Sequence, residues 1–122
     1  MLSALSIPAL KYGVFRARPD KKGSDMKVLI LGCGNVGSNV ARQLVPLHTD
    51  ISYTVADFNL ETAQHLAADL GANVSAIKVD YNDRKSLDSA LDGVDLIFNA
   101  AGPFYRSAVP VIEAAISAKV NY

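Results

Sequence analysis

Gly32, Gly34 and Gly37 stand in the spacing G-x-G-x-x-G, directly after the apolar run Val28-Leu29-Ile30-Leu31. Asp57 follows twenty residues past Gly37, where a second apolar run ends. Glycines at that spacing do three things. Gly32 permits a tight turn out of a strand, Gly34 lets a phosphate approach the backbone, and Gly37 allows close packing of the helix that begins there. Asn35 and Val36 open that helix, so their N–H groups face whatever lies beyond the turn and carry its partial positive charge. An acid at the end of the second strand accepts hydrogen bonds from ribose hydroxyls. A strand, a glycine turn, a helix and an acid in this order argue for binding a dinucleotide, NAD(P). The Asp57 carboxylate repels a 2′-phosphate, and the next residue is Phe58 rather than an arginine, so NAD is favoured over NADP. Phe58 is a candidate to pack on the adenine.

A second small-residue stretch, Asn99-Ala100-Ala101-Gly102-Pro103, follows another apolar run. Ala100, Ala101 and Gly102 would let a dinucleotide lie against the backbone. The alternative for Gly102-Pro103 is a plain turn. Asn99 either bonds ribose or holds the loop. Asp80 either contacts the adenine amine or caps the turn that follows it.

Other reactive residue types lack a setting. Tyr81 and Lys85 have Y-x-x-x-K spacing, but they precede the fourth strand, and the match reads as chance. His48 falls in a connection at the far end of the sheet, and His65 falls within a helix. Cys33, the single cysteine, occupies a variable position of the glycine turn and excludes an internal disulfide framework. No metal-ligand cluster and no complete acid–base pair stand out, so no catalytic residue is expected in this chain, which alone should turn over no substrate.

The elements that must position these residues alternate strand and helix from Met26 onward, as in a doubly wound parallel sheet of Rossmann type. Strands are expected at Lys27–Leu31, Ile51–Ala56, Val74–Val79 and Val94–Asn99. Val36, Val40 and Leu44 mark a first helix that Pro46 helps to end. Asn59 caps a second helix running to Leu70, with Gly71 as its stop signal. Asn82 or Asp83 caps a third through Leu91. A fourth runs from Ser107 to Ala118, with Pro110 in its first turn. Val120-Asn121-Tyr122 reads as the start of a fifth strand that the chain does not finish. Strands one and four should flank the crevice where ligands bind beyond the carboxyl ends of the strands.

The bulk properties fit one domain. The 122 residues are 50% apolar, with formal net charge zero, and the mean hydropathy is +0.18 with a pI near 6.7. Nucleic acid is an unexpected partner for such a balance. No apolar run approaches the roughly eighteen residues of a membrane span. Residues 1–25 hold five basic and two acidic side chains. They read as a disordered extension, with a targeting peptide as the alternative, and residues 26–122 as the dinucleotide-binding domain. A cytoplasmic location is expected.

Met26–Tyr122 resembles the N-terminal nucleotide-binding domain of saccharopine dehydrogenase-like oxidoreductases. The resemblance rests on Gly32-Cys33-Gly34-Asn35-Val36-Gly37, on Ala56-Asp57-Phe58-Asn59-Leu60-Glu61, and on Gly93-Val94-Asp95-Leu96-Ile97-Phe98-Asn99-Ala100-Ala101-Gly102-Pro103-Phe104-Tyr105. Many members carry arginine where this chain has Phe58. The resemblance implies NAD(P)-dependent chemistry at the CH–NH bond of an amino-acid-derived secondary amine. It also implies a second domain, absent here, that holds most of the substrate and catalytic side chains, with Phe104, Tyr105 and Arg106 bordering the cleft. Arg106 would bind a carboxylate there or be a surface residue at a helix start. Self-association of a domain lacking its partner is a further expectation. The alternative is a non-catalytic nucleotide-sensing domain of the kind that gates potassium transport, which shares the glycine turn and the acids after strands two and three.

Overall fold

The computed structural model describes residues 25–122. The expected 1–25 extension therefore lies, but for its last residue, outside the described residues. Four parallel strands, β1 (Lys27–Leu31), β2 (Ser52–Asp57), β3 (Val74–Lys78) and β4 (Leu96–Asn99), form one sheet in the order β3-β2-β1-β4. Helices α1 (Asn35–Leu47), α2 (Leu60–Leu70), α3 (Arg84–Leu91) and α4 (Phe104–Ala118) connect them or follow the last. This is the α/β Rossmann-type fold expected from the sequence. The strand order reverses between β1 and β4, which places a crevice at their carboxyl ends.

Strand residues alternate between two apolar layers. Val28, Ile30, Tyr53 and Val55 pack with Ala41 and Val45 of α1 and Ala63 and Leu66 of α2. On the other face, Leu29, Leu31 and Ile97 pack with Leu87 and Leu91 of α3 and Val111, Ala114 and Ala115 of α4. The run Val28–Leu31 is buried throughout because both faces are covered. Each fully buried aliphatic side chain there contributes on the order of 1.5–3 kcal/mol.

Several boundaries shift. α4 begins at Phe104, not Ser107, so Pro110 lies inside the helix rather than in its first turn. One missing N–H is tolerated because Ser107, Val111, Ala114 and Ala115 bury the same helix face. β4 starts at Leu96 rather than Val94. The Asp95 N–H still donates to the Lys27 carbonyl at 2.9 Å, and the Lys27 N–H donates to the Asp95 carboxylate, also at 2.9 Å. Asp83, not Asn82, caps α3, accepting from the Lys85 N–H. The expected fifth strand is present as a single parallel bridge between Leu96 and Asn121.

Candidate functional site

The glycine turn fits between β1 and α1 because Gly32 takes φ +96°, and because a Cβ there would lie 2.6 Å from the backbone of Ala100 and Ala101. The two crevice loops thus touch at that point. Gly32 donates to the Ala56 carbonyl and Ala100 to the Leu31 carbonyl, each at 2.7 Å. A Cβ on Gly37 would fall on the Gly32 carbonyl oxygen. Gly34 is different. Its φ of −76° and ψ of −158° are open to any residue, and a Cβ there would meet nothing within 4 Å. Gly102 likewise has open space where a Cβ would point. Neither glycine is required by the fold around it.

Gly34 is also the N-cap of α1, and it brings no side chain to cap the helix. α2 and α3, by contrast, are capped by the Asn59 and Asp83 side chains. The first turn of α1 contains no acid. Its N-terminus is therefore suited to an anion.

Between the loops lies a cavity of about 270 Å³ bordered by Leu31, Gly32, Gly34, Asp57, Phe58, Val79, Tyr81, Ala100, Ala101 and Gly102. Seven of the expected positions, Gly32, Gly34, Asp57, Phe58, Ala100, Ala101 and Gly102, meet there. Asn35, Val36, Gly37, Asp80 and Asn99 are not among its bordering residues. Asn35 and Val36 are exposed at the helix start, and Gly37 is buried beneath the turn.

Asp80 works as a turn cap. Its carboxylate accepts from the Asn82 N–H at 2.9 Å, and its own N–H donates to Ser86 Oγ at 3.0 Å. Asn99 holds the loop. Its Oδ1 accepts from the Ala101 N–H at 3.0 Å, and its Nδ2 donates to Ser107 Oγ and to the Tyr122 hydroxyl, each at 3.2 Å. Ser107 Oγ in turn donates to the Ala101 carbonyl at 2.7 Å.

Asp57 ties the turn to the second strand. One carboxylate oxygen accepts from the Cys33 N–H at 2.9 Å and the other from the Asn59 N–H at 3.0 Å. Each oxygen keeps a second lone pair for a ligand hydroxyl. Cys33 Sγ lies 3.4 Å from the Ala56 carbonyl oxygen. Burial, and secondarily the Asp57 charge, push its thiol up to about 11. Cys33 is thus a packing residue rather than a nucleophile.

Tyr81 borders the cavity, which spacing alone did not reveal. The usable signal was its place just past the end of β3. Lys85 borders a different cavity, between α3 and the end of α4, away from the crevice that Tyr81 borders. His48 caps the C-terminus of α1, and His65 is exposed on α2. Among the described residues, no group of three or more His, Cys, Asp or Glu is placed to hold a metal. No helix among them is long and apolar enough to cross a membrane.

A parallel sheet that reverses order at a glycine turn, with an uncapped helix and a strand-end acid beside it, defines a dinucleotide-binding domain of Rossmann type. Residues 28–122 match the saccharopine dehydrogenase NADP binding domain, and the chain belongs to that family. Among solved structures, apo saccharopine dehydrogenase (L-Glu forming) from Saccharomyces cerevisiae is similar at 34% identity and TM-score 0.69. The match covers 78% of this chain and 20% of that one. A short-chain dehydrogenase/reductase from Veillonella parvula DSM 2008, in complex with NADP, shares the fold at 16% identity and TM-score 0.64, over 78% of this chain and 44% of that one. A putative D-mannonate oxidoreductase from Haemophilus influenza, with bound NAD, does so at 22% identity and TM-score 0.56, over 64% and 31%. The matched region therefore spans about a fifth of the yeast enzyme's length. The family's description names NADP, which is somewhat at odds with the preference for NAD expected from Asp57 and Phe58.

Proposed function

We propose that this chain is the cofactor platform of an oxidoreductase acting at the CH–NH bond of an amino-acid-derived secondary amine. The observation that carries the platform reading is the pair Gly34 and Gly102. Both lack a side chain where the fold has room for one, and both face the same cavity. A ligand lying against the backbone accounts for that.

The pyrophosphate would sit on Gly34 and the uncapped N-terminus of α1, with the Asn35 and Val36 amides beneath it. Asp57 would accept from the adenosine ribose. Phe58 and Tyr81 would flank the adenine, and Ala100, Ala101 and Gly102 would support the rest of the molecule. The bound nicotinamide supplies or accepts the hydride. The CH–NH assignment is supported by family membership and by the likeness to the yeast enzyme. Because the chain spans about a fifth of that enzyme, the groups that hold substrate and move the proton are proposed to lie outside these residues.

Titration of the chain with NADH, followed by nicotinamide fluorescence, tests the reading. Saturable binding is expected in the wild type. Gly34→Val should weaken it about tenfold or more, by placing a side chain where the pyrophosphate lies. Equal binding by the two proteins would overturn the assignment.

A further inference from the structure

Lys78 ends β3 directly beside Asp57, its register partner at the end of β2. Register partners on parallel strands point to the same face, so both side chains lie on the α2 side of the sheet. The Lys78 ammonium sits over the ring of Phe58, with Nζ 5.1 Å from the centroid. Phe58 follows Asp57 directly, and 64% of its surface is exposed. The aromatic ring thus holds a lysine charge beside the carboxyl end of β2.

The other described cations near the sheet are placed or engaged elsewhere. Lys27 opens β1 at the opposite end of the sheet. Arg42 pairs with Asp69 at 3.2 Å and Arg84 with Asp88 at 2.8 Å. Arg106 lies in the first turn of α4, over Tyr105. Nor does α2 offer its N-terminus, since the Asn59 side chain takes the Glu61 and Thr62 amides and Glu61 adds a negative charge. Lys78 makes no ion pair within 4 Å among the described residues.

We propose that Lys78, seated on Phe58, is the residue that accepts the 2′-phosphate of NADP and offsets its repulsion by Asp57. The assignment rests on the dinucleotide-binding reading above and deepens it. Asp57 is the acid placed to accept the ribose hydroxyls, and its register neighbour at the end of β3 is Lys78. The arrangement reconciles an acid that accepts ribose hydroxyls with a family described by its binding of NADP.

The test compares NADPH and NADH binding to the whole chain by nicotinamide fluorescence, in wild type, Lys78→Gln and Lys78→Arg, at rising KCl. Wild type should bind both. Lys78→Gln should weaken NADPH about tenfold and change NADH by less than about twofold, while Lys78→Arg should retain NADPH. NADPH affinity should fall more steeply with salt than NADH affinity in wild type, and the difference should vanish in Lys78→Gln. An unchanged NADPH-to-NADH ratio in Lys78→Gln, or wild type that binds NADH but not NADPH, overturns the Lys78 assignment alone. Wild type that binds neither overturns the dinucleotide reading, and the Lys78 assignment falls with it.

Discussion

The glycines of the turn separate into two kinds, and substitution should distinguish them. Gly32→Ala introduces a Cβ 2.6 Å from the Ala100 backbone at φ +96°. It should cost about 2 kcal/mol or more in a urea titration, whatever its effect on ligands. Gly34→Val should cost no more than about 1 kcal/mol, the modest loss of a glycine cap in a backbone conformation open to any residue, and yet lose NADH. A stability loss at 34 as large as at 32 would mean that the fold, not the ligand, requires Gly34. Cys33 offers a pH readout. Its thiol is raised from 9.0 to about 11 in the folded chain, so the native state holds the proton more tightly than the unfolded one. The stability this confers is fully present below about pH 9 and is lost as pH rises through about 11. Cys33→Ala should flatten the decline between those values in urea titrations. Native wild type should also resist iodoacetamide at pH 8 far better than chain in denaturant.

At the scale of elements, the starts of α1 and α2 differ in what meets their amides. The Asn59 side chain accepts from the Glu61 and Thr62 amides at 3.0 and 3.4 Å. Asn59→Ala should therefore cost about 1 kcal/mol and lower the melting temperature without changing NADH affinity more than the stability loss explains. The start of α1 has no such cap to lose. These differences were legible in the sequence because caps and glycines act locally. Asn59, Gly71 and the run Val28–Leu31 announce their elements through neighbours a few residues away. The start of α4 was not legible. Pro110 reads locally as a first-turn residue, and only burial of Ser107 and Val111 against the sheet carries the helix back to Phe104. Asp80 and Asn99 stayed open for the same reason, because whether a polar side chain meets the ligand or its own loop depends on where Ser86 and Ser107 come to rest. Lys78 was invisible to spacing, since its nearness to Asp57 and Phe58 arises from strand pairing across twenty residues.

For the whole molecule, a ligand that binds only the folded chain stabilises it. NADH at about a hundred times its dissociation constant should add about 2.7 kcal/mol and raise the melting temperature by roughly 10 °C or more in a domain of this size, and Gly34→Val should remove most of that shift. The hydroxyl of Tyr122 meets the Asn99 amide, which with Ser107 fixes the Ala101 backbone on both its N–H and its carbonyl side. The Ala101 amide therefore exchanges with solvent only when that clasp opens, and the opening is governed from a residue twenty-one positions away. Tyr122→Phe should speed deuterium uptake at Ala101 about fivefold while leaving uptake at Ile30 unchanged. The crevice loop is thus latched through Asn99 by the segment bridged to β4 at Asn121, so whatever seats or unseats that segment also sets how often the Ala101 backbone is released.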